Sequence, residues 1–500
     1  MVGVAGRSRG CRACRRRKKG CDLRKPECNN CKRAHESCEY DRPYVFINTT
    51  GTGPGSSTIG KATPKRRSLP TTDVTLPHSL TRTAYEEKYF SLFWDLWFPC
   101  GSTSPGLSIK YPVADWMTAA RAMYRDDSAL RGTLLAMCLS TIGRHNRQDW
   151  LLSEGVKLYV QALNELNNGL RHPRRWSSDA LLVASRGLGL FELLYGLKSQ
   201  NWAVISQAKS WHNHNLGEMS LMQQRGPQSY VEGQAHQLFT HGRMHLAIAA
   251  CMSRKRIFLS DTPWKTIPWL KSPKNAKDVL TDILVDVPAL LEEIDLLTKA
   301  PQPATEIFNR FIETYRRLDR ELSWWLANLS PGSQWLIDLQ NRDFKSPTAD
   351  EVALAQVMTL FWTACILVYS SLYIALPLCP ASFASGIVEA PQHTNPKQYC
   401  TLVANTIEVF FEPEAGLVGM YAAPFLIGIA TKYLMFTEGF DSRDCMKLIG
   451  YFQRQGGGAA IGRFLTNSLR EWDKIDPHDV KPGQLTSAVN NIEPMSSKFQ

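Results

Sequence analysis

The feature that most constrains this chain is one cysteine spacing written twice. Cys11-x2-Cys14-x6-Cys21 is followed by Cys28-x2-Cys31-x6-Cys38. Thiols this dense form either a disulfide framework or a metal site. The other seven of the 13 cysteines are scattered from Cys100 to Cys445 with no C-x2-C among them, and residues 1–10 are basic, without the apolar stretch of a secretory signal. An odd count, no local pairing and no such signal point to a reducing compartment, where clustered thiols mean metal. The scattered seven are expected as buried free thiols. Structural zinc takes four tetrahedral ligands, so one zinc would leave two of the six thiols idle. Two zincs need eight ligand positions, which six cysteines supply only if two of them bridge. Symmetry places the bridging pair at equivalent positions in the two halves. The sequence thus predicts two zinc ions in a pseudo-twofold site built from Cys11, Cys14, Cys21, Cys28, Cys31 and Cys38. A short helix can present both sulfurs of each C-x2-C from its first turn, where the positive helix end favours them. Arg15 to Lys19 is predicted to fill the rest of the first helix, with Gly20 as its stop.

Charge follows the same division. The 500 residues carry a formal +12, and residues 1–70, with 17 Lys and Arg against 5 Asp and Glu, account for all of it. A basic head on a neutral body suggests that the head meets a polyanion. The chain is too long for one core, which stops growing near about 250–300 residues. Residues 1–47 are read as the zinc module. Residues 48–83, rich in Gly, Pro, Ser and Thr and basic, cannot bury enough surface to fold and are predicted to be a flexible linker. Residues 84–472 are read as a large all-helical region and 473–500 as a loose polar tail. The fold class expected is mainly α.

From A-Y-E-E-K-Y-F-S-L-F-W-D-L-W-F onward the legible periodicity is helical. Leu152, Val156, Tyr159, Val160, Leu163 and Leu166 are predicted to share one stripe of a helix that stops at Asn168-Gly169. Ser177-Ser178-Asp179 reads as the start of the next helix. Residues 276–299 and 304–329 behave alike. No run of short alternating segments suggests a sandwich or barrel. Val352 to Pro380 lacks any charge and is long enough to span a bilayer. Gln356, Thr359, Thr363, Ser370 and Ser371 thin its hydrophobicity, however, so a buried central helix is predicted and no membrane partner. Residues 416–430 read as a core segment interrupted by Pro424.

The cysteine segment resembles the fungal-type binuclear zinc cluster of transcription factors. The family pattern, C-x2-C-R-R-R-K-x-K-C-D, a Pro-containing loop and C-x2-C-x6-C, stands here as C-R-A-C-R-R-R-K-K-G-C-D, K-P-E-C-N-N-C and K-R-A-H-E-S-C. The resemblance implies that Cys11 and Cys28 bridge, that Cys14 and Cys21 complete one zinc site, and that Cys31 and Cys38 complete the other. It also implies that Lys18 reads a CGG-type triplet of double-stranded DNA from the end of the first helix. Gly20 departs from the pattern, which usually has a basic residue there. From residue chemistry alone, Lys or Arg facing a guanine edge is the commonest specific base contact, and Arg15, Arg16, Arg17 and Lys19 are expected to meet mostly phosphates. These residues, or Lys65-Arg66-Arg67, can also serve nuclear import.

V-K-L-Y-V-Q-A-L-N-E-L, L-G-L-F-E-L-L-Y, W-H-N-H-N-L-G-E-M-S-L-M-Q-Q-R-G-P, I-F-L-S-D-T-P-W and A-A-P-F-L-I-G resemble the fungal-specific transcription factor regulatory domain. That resemblance implies an all-helical regulatory region with no ligand common to the family. Trp211-His212-x-His214 reads as packing and capping rather than a metal pair, and Gly456-Gly457-Gly458 as a turn. No catalytic constellation and no cofactor other than zinc is read. The function expected is a nuclear, zinc-dependent transcription regulator that works with the import and transcription machinery. The alternative is a helical enzyme or scaffold that carries a zinc module for localisation. No heptad repeat follows the cysteines, so any pairing of two chains is expected through the helical region.

Overall fold

The structure, a computed structural model, describes residues 11–24, 27–38, 78–97, 99, 116–195, 207–299, 305–330, 345–378 and 392–453, with backbone alone at 12, 15, 78–82 and 208. All regular structure among these residues is helical. The chain divides into two compact units, 1–87 and 88–500. Most of the expected linker and all of residues 473–500 lie outside the described residues. His78 to Thr83, at the end of that expected linker, already form the first turns of a helix.

The small unit has two short helices, α1 (Arg12–Arg16) and α2 (Asn29–Ala34). Its buried residues are Cys11, Ala13, Cys14, Cys28 and Cys31, with Cys21 and Cys38 packed against them. A core made of thiols and one alanine has almost no hydrophobic driving force of its own, so this unit depends on metal.

The large unit begins in α3 (His78–Trp97), whose Phe90, Phe93, Trp94 and Trp97 are buried. There follow α4 (Trp116–Met123), α5 (Ser128–His145), α6 (Asp149–Arg171), α7 (Asp179–Tyr195) and α8 (Gln207–Arg225). Next come α9 (Gly233–Ser253), α10 (Thr262–Thr266), α11 (Ala276–Leu284), α12 (Val287–Lys299) and α13 (Thr305–Asn328). The last four are α14 (Ala349–Ala375), α15 (Pro396–Thr406), α16 (Gly416–Thr437) and α17 (Arg443–Gln453). Two apolar cores result, one centred on α3 to α7 and the other on α9 and α11 to α17.

Local chemistry fixes the helix starts. Asp127 accepts from Ala129 N and Leu130 N at 2.9 and 3.0 Å to begin α5. Capping boxes, Asn275 with Asp278 and Thr348 with Glu351, open α11 and α14. Ser178 Oγ accepts from Leu181 N at 3.3 Å, so α7 starts where the sequence placed it. In α13, Phe308, Phe311, Tyr315, Leu318, Leu322 and Trp325 are buried at alternating steps of three and four.

The apolar stripe of α6 differs from the expected one. Leu151, Gly155, Tyr159, Ala162, Leu166 and Gly169 are buried, whereas Val160 lies 47% exposed. Small residues set this interface because α5 comes close: a Cβ on Gly155 would lie 2.2 Å from Ser140 Oγ and 3.0 Å from Ala136 O. Gly169 does not stop the helix either. It lies inside α6, which runs to Arg171, and packs against Leu181.

α14 is buried along its whole apolar window, as expected of a central helix. It packs against α12, α13, α15 and α16. Its hydroxyls are satisfied by its own backbone: Thr359 donates to Ala355 O at 2.6 Å, Thr363 to Thr359 O at 2.7 Å and Ser371 to Leu367 O at 2.7 Å. α16, the second helix long and apolar enough to cross a bilayer, has 56% of its apolar window buried. It continues through Pro424 rather than being interrupted there; proline removes one donor from the ladder without ending the helix.

Candidate metal centre and nucleic-acid interface

The cysteine repeat folds into two halves that match residue for residue at an offset of 17. Cys11 and Cys28 stand at the N-termini of α1 and α2, and each Sγ accepts the backbone N–H three residues on, Cys14 N and Cys31 N, at 3.4 Å. Cys11 N donates to Cys21 Sγ at 3.4 Å and Cys28 N to Cys38 Sγ at 3.2 Å. Both helices then end in the same left-handed stop. Lys18 (φ 53°) and His35 (φ 47°) adopt it, and Lys19 N and Glu36 N reach back to Cys14 O and Cys31 O at 3.0 and 3.2 Å. The stop of the first helix is therefore Lys18, not Gly20, and α1 proper ends at Arg16.

The sulfurs form two groups of four that share a pair: Cys11, Cys14, Cys21 and Cys28, and Cys11, Cys28, Cys31 and Cys38, each with its ligand atoms within 4.8 Å of one another. A zinc–sulfur bond of about 2.3 Å gives a tetrahedral edge of about 3.8 Å. Cys11–Cys28, Cys11–Cys31 and Cys14–Cys28 stand at 3.7, 3.5 and 3.6 Å, close to that edge and far beyond the roughly 2.05 Å of a disulfide. The donor set fits two zinc ions. Burial raises the Cys11 and Cys28 thiols, but the N–H groups of Cys14 and Cys31 together with hydrogen bonds from neighbouring thiols hold both below the ordinary value. Burial pushes Cys14 up to about 12.

Residues 9–44 match the fungal Zn(2)-Cys(6) binuclear cluster domain. This domain binds two zinc ions, and it indicates a DNA-binding transcription factor of the fungal zinc-cluster kind. No curated protein and no solved structure matches the chain.

Around the zinc cluster, the five basic residues singled out from the sequence separate into different roles. The side chains of Arg16, Lys18 and Lys19 are exposed, and Arg16 lies 3.3 Å from Glu36. Arg17 turns inward instead. Its Nη2 donates to Asn30 O at 3.4 Å and to Cys31 Sγ at 3.9 Å, and its Nε lies 3.6 Å from Glu36. It braces α1 against the second half, where the thiolates attract its charge. Arg15 is on α1, but its side chain lies outside the described residues, as do Lys65, Arg66 and Arg67. A Cβ on Gly20 would meet nothing within 4 Å, so the departure from the family pattern removes a side chain without serving the packing. Asn30 Nδ2 donates to Gly20 O at 2.6 Å and holds that backbone in place.

In the large unit, His214 Nε2 lies 3.4 Å from Tyr159 OH, and burial drops its pKa to about 4. No third ligand joins it and His212 among the described residues. Cys138, Cys251, Cys365, Cys400 and Cys445 are buried and free. Gly456 to Gly458, Cys100 and Cys379 lie outside the described residues. One constellation was not foreseen. Arg186 Nη2 donates to Glu218 Oε1 at 2.6 Å, and His245 Nε2 lies 2.8 Å from Glu218 Oε2. The signal was an arginine inside the apolar run L-L-V-A-S-R-G-L-G-L of α7, which demands a buried partner.

Proposed function

We propose that this chain is a nuclear regulator of transcription that reads a CGG-type triplet in double-stranded DNA, with Lys18 as the base-reading residue. In this reading Arg15, Arg16 and Lys19 contact phosphates, and Arg17 positions α1 rather than touching DNA. The observation that carries it is the placement of Lys18 at the end of α1. A lysine is kept there in the left-handed conformation (φ 53°), where glycine would be the unstrained choice, and its side chain is exposed. Exposed cations on either side, Arg16 and Lys19, supply a phosphate-binding rim.

The helical body is the regulatory part and not a catalyst. Domain boundaries near residues 47, 83 and 472 belong to the same proposal, as do contacts with the import and transcription machinery and any pairing of two chains through the helical body. The targets are a pathway-specific gene set, of which a biosynthetic gene cluster is the form proposed.

Binding of the zinc-loaded chain to a CGG duplex and to a scrambled duplex tests the reading. Lys18→Ala is expected to weaken the CGG duplex by about 1–3 kcal/mol and to erase the preference. Arg16→Ala is expected to weaken both duplexes equally and flatten the salt dependence by about one unit of slope. Equal losses on both duplexes for the two variants would remove Lys18 from its role.

A further inference from the structure

Where the two apolar cores of the large unit meet, α7, α8, α9, α14 and α16 line a cavity that is partly open to solvent. Its walls are almost wholly apolar, with Trp211, Met252, Leu360 and Phe425 among them. Besides the Tyr421 hydroxyl and the Trp211 indole, the polar side chains Gln356 and His245 break that surface. Gln356 is 1% exposed and neither its Oε1 nor its Nε2 has a partner among the described residues, and His245 is 7% exposed with Nδ1 unpaired. A buried amide without partners is costly. It is conspicuous here because the hydroxyls of Thr359, Thr363 and Ser371 on the same helix are all satisfied.

We propose that this cavity binds an uncharged, largely apolar small molecule whose carboxamide or hydroxyl group pairs with Gln356 and with His245 Nδ1. The chemistry narrows the class. His245 turns Nε2 to the Glu218 carboxylate at 2.8 Å, so the proton sits on Nε2 and Nδ1 is left as an acceptor. Gln356 offers two donors and one acceptor. A ligand that both donates and accepts satisfies the pair. Among the described residues no Lys, Arg, Asp or Glu lines the cavity, so a charged ligand would enter there without a counter-charge. Because the walls come from both cores, the occupant would join them.

Titration of the full-length, zinc-loaded chain with three probes tests the proposal: 2-naphthamide, 2-naphthoate and 2-methylnaphthalene, followed by calorimetry. The amide is expected to bind at least about tenfold more tightly than the anion and the hydrocarbon, since only it satisfies the buried groups. Gln356→Leu is expected to remove that advantage while leaving the hydrocarbon within about twofold. Ala422→Phe, which fills the cavity by volume, is expected to abolish binding of all three. Absence of saturable amide binding up to about 1 mM would overturn the proposal. So would an unchanged amide affinity in both variants, or a crystal structure in which ordered waters satisfy Gln356 and His245 and persist with the amide present. The titration contains no DNA, so its failure leaves the zinc-cluster reading intact.

Discussion

Replacing Glu218 by Gln asks how much one buried charge holds this helical body together. The side chains of Arg186 and Glu218 are each 1% exposed, joined by bonds of 2.6 and 3.1 Å to one carboxylate oxygen. Arg186 Nη2 also donates to Leu238 O at 3.1 Å, its guanidinium carbon lies 5.5 Å from the Trp116 ring, and Gly242 leaves it room. The pair therefore staples α4, α7, α8 and α9. Burial alone would raise the Glu218 carboxyl; Arg186 and His245 together, by charge and by hydrogen bond, overrule it and hold the group down to about 2, against an ordinary 4.5. That difference corresponds to about 3 kcal/mol. An independent figure agrees, since removing one partner of a buried ion pair costs about 3–5 kcal/mol by stranding the other charge. Because the folded value lies below the unfolded one, the stabilisation is complete above pH 4.5 and fades as pH falls toward 2. Urea unfolding followed by tryptophan fluorescence is expected to show Glu218→Gln less stable by about 3–5 kcal/mol at pH 7, with the gap to wild type closing below pH 4.5. Joint replacement, Arg186→Met with Glu218→Leu, is expected to recover most of the loss. A loss under about 1 kcal/mol, or a gap at pH 3 as wide as at pH 7, would refute the argument.

Three further outcomes follow from the small unit and the α5–α6 contact. Native mass spectrometry of the full chain is expected to show two zinc ions, and chelation is expected to convert residues 1–47 to coil by circular dichroism, because their core is cysteine and one alanine; a single zinc would refute the shared-sulfur geometry. Gly20→Lys, with open space around its Cβ, is expected to tighten DNA binding and steepen the salt slope by about 0.9 without changing the zinc content. Gly155→Ala is expected to lower stability by about 1–3 kcal/mol, measured by urea unfolding, since its Cβ would lie 2.2 Å from Ser140 Oγ and 3.0 Å from a backbone oxygen.

The zinc module was legible in the sequence because coordination chemistry acts through spacing. C-x2-C-x6-C written twice admits few geometries, and the two groups of four sulfurs are among them. The central helix was legible as well, since its residues are apolar on every side and only a fully buried environment suits them. Interfaces made by small residues were not. The periodicity of α6 pointed to Leu152 and Val160, but the contact with α5 depends on Gly155 and Ala162, which carry no hydrophobic signal. Helix ends proved similarly opaque. Gly20 and Gly169 each looked like a stop, yet Lys18 takes the left-handed position and Gly169 serves close packing against Leu181. Nor does spacing reveal that Arg17 faces inward while Arg16 and Lys18 face out, because that depends on where Asn30 and Glu36 come to lie in three dimensions.

The two halves of the zinc module place their cysteines alike but differ in charge at the helix ends. At the offset of 17, Arg17 corresponds to Ala34, Lys18 to His35 and Lys19 to Glu36. The first half is cationic throughout its helix end, and the second carries an acid at the equivalent place. Glu36 is not a neutral bystander: it lies 3.3 Å from Arg16 and 3.6 Å from Arg17, so the acid of one half orients the cations of the other. Residues 11–38 hold 10 Lys and Arg against 3 Asp and Glu, and six thiolates around two Zn²⁺ add a net charge of −2. The excess that remains is +5, enough to hold the module against DNA despite its anionic centre. Had both halves kept the cationic set, two helix ends would compete for the groove. α2 also carries Lys32 and Arg33 in its last turn, so the asymmetry lies just beyond the helices, where Lys18 and Lys19 follow α1 and His35 and Glu36 follow α2, and the orientation on DNA in the proposed reading follows from that difference.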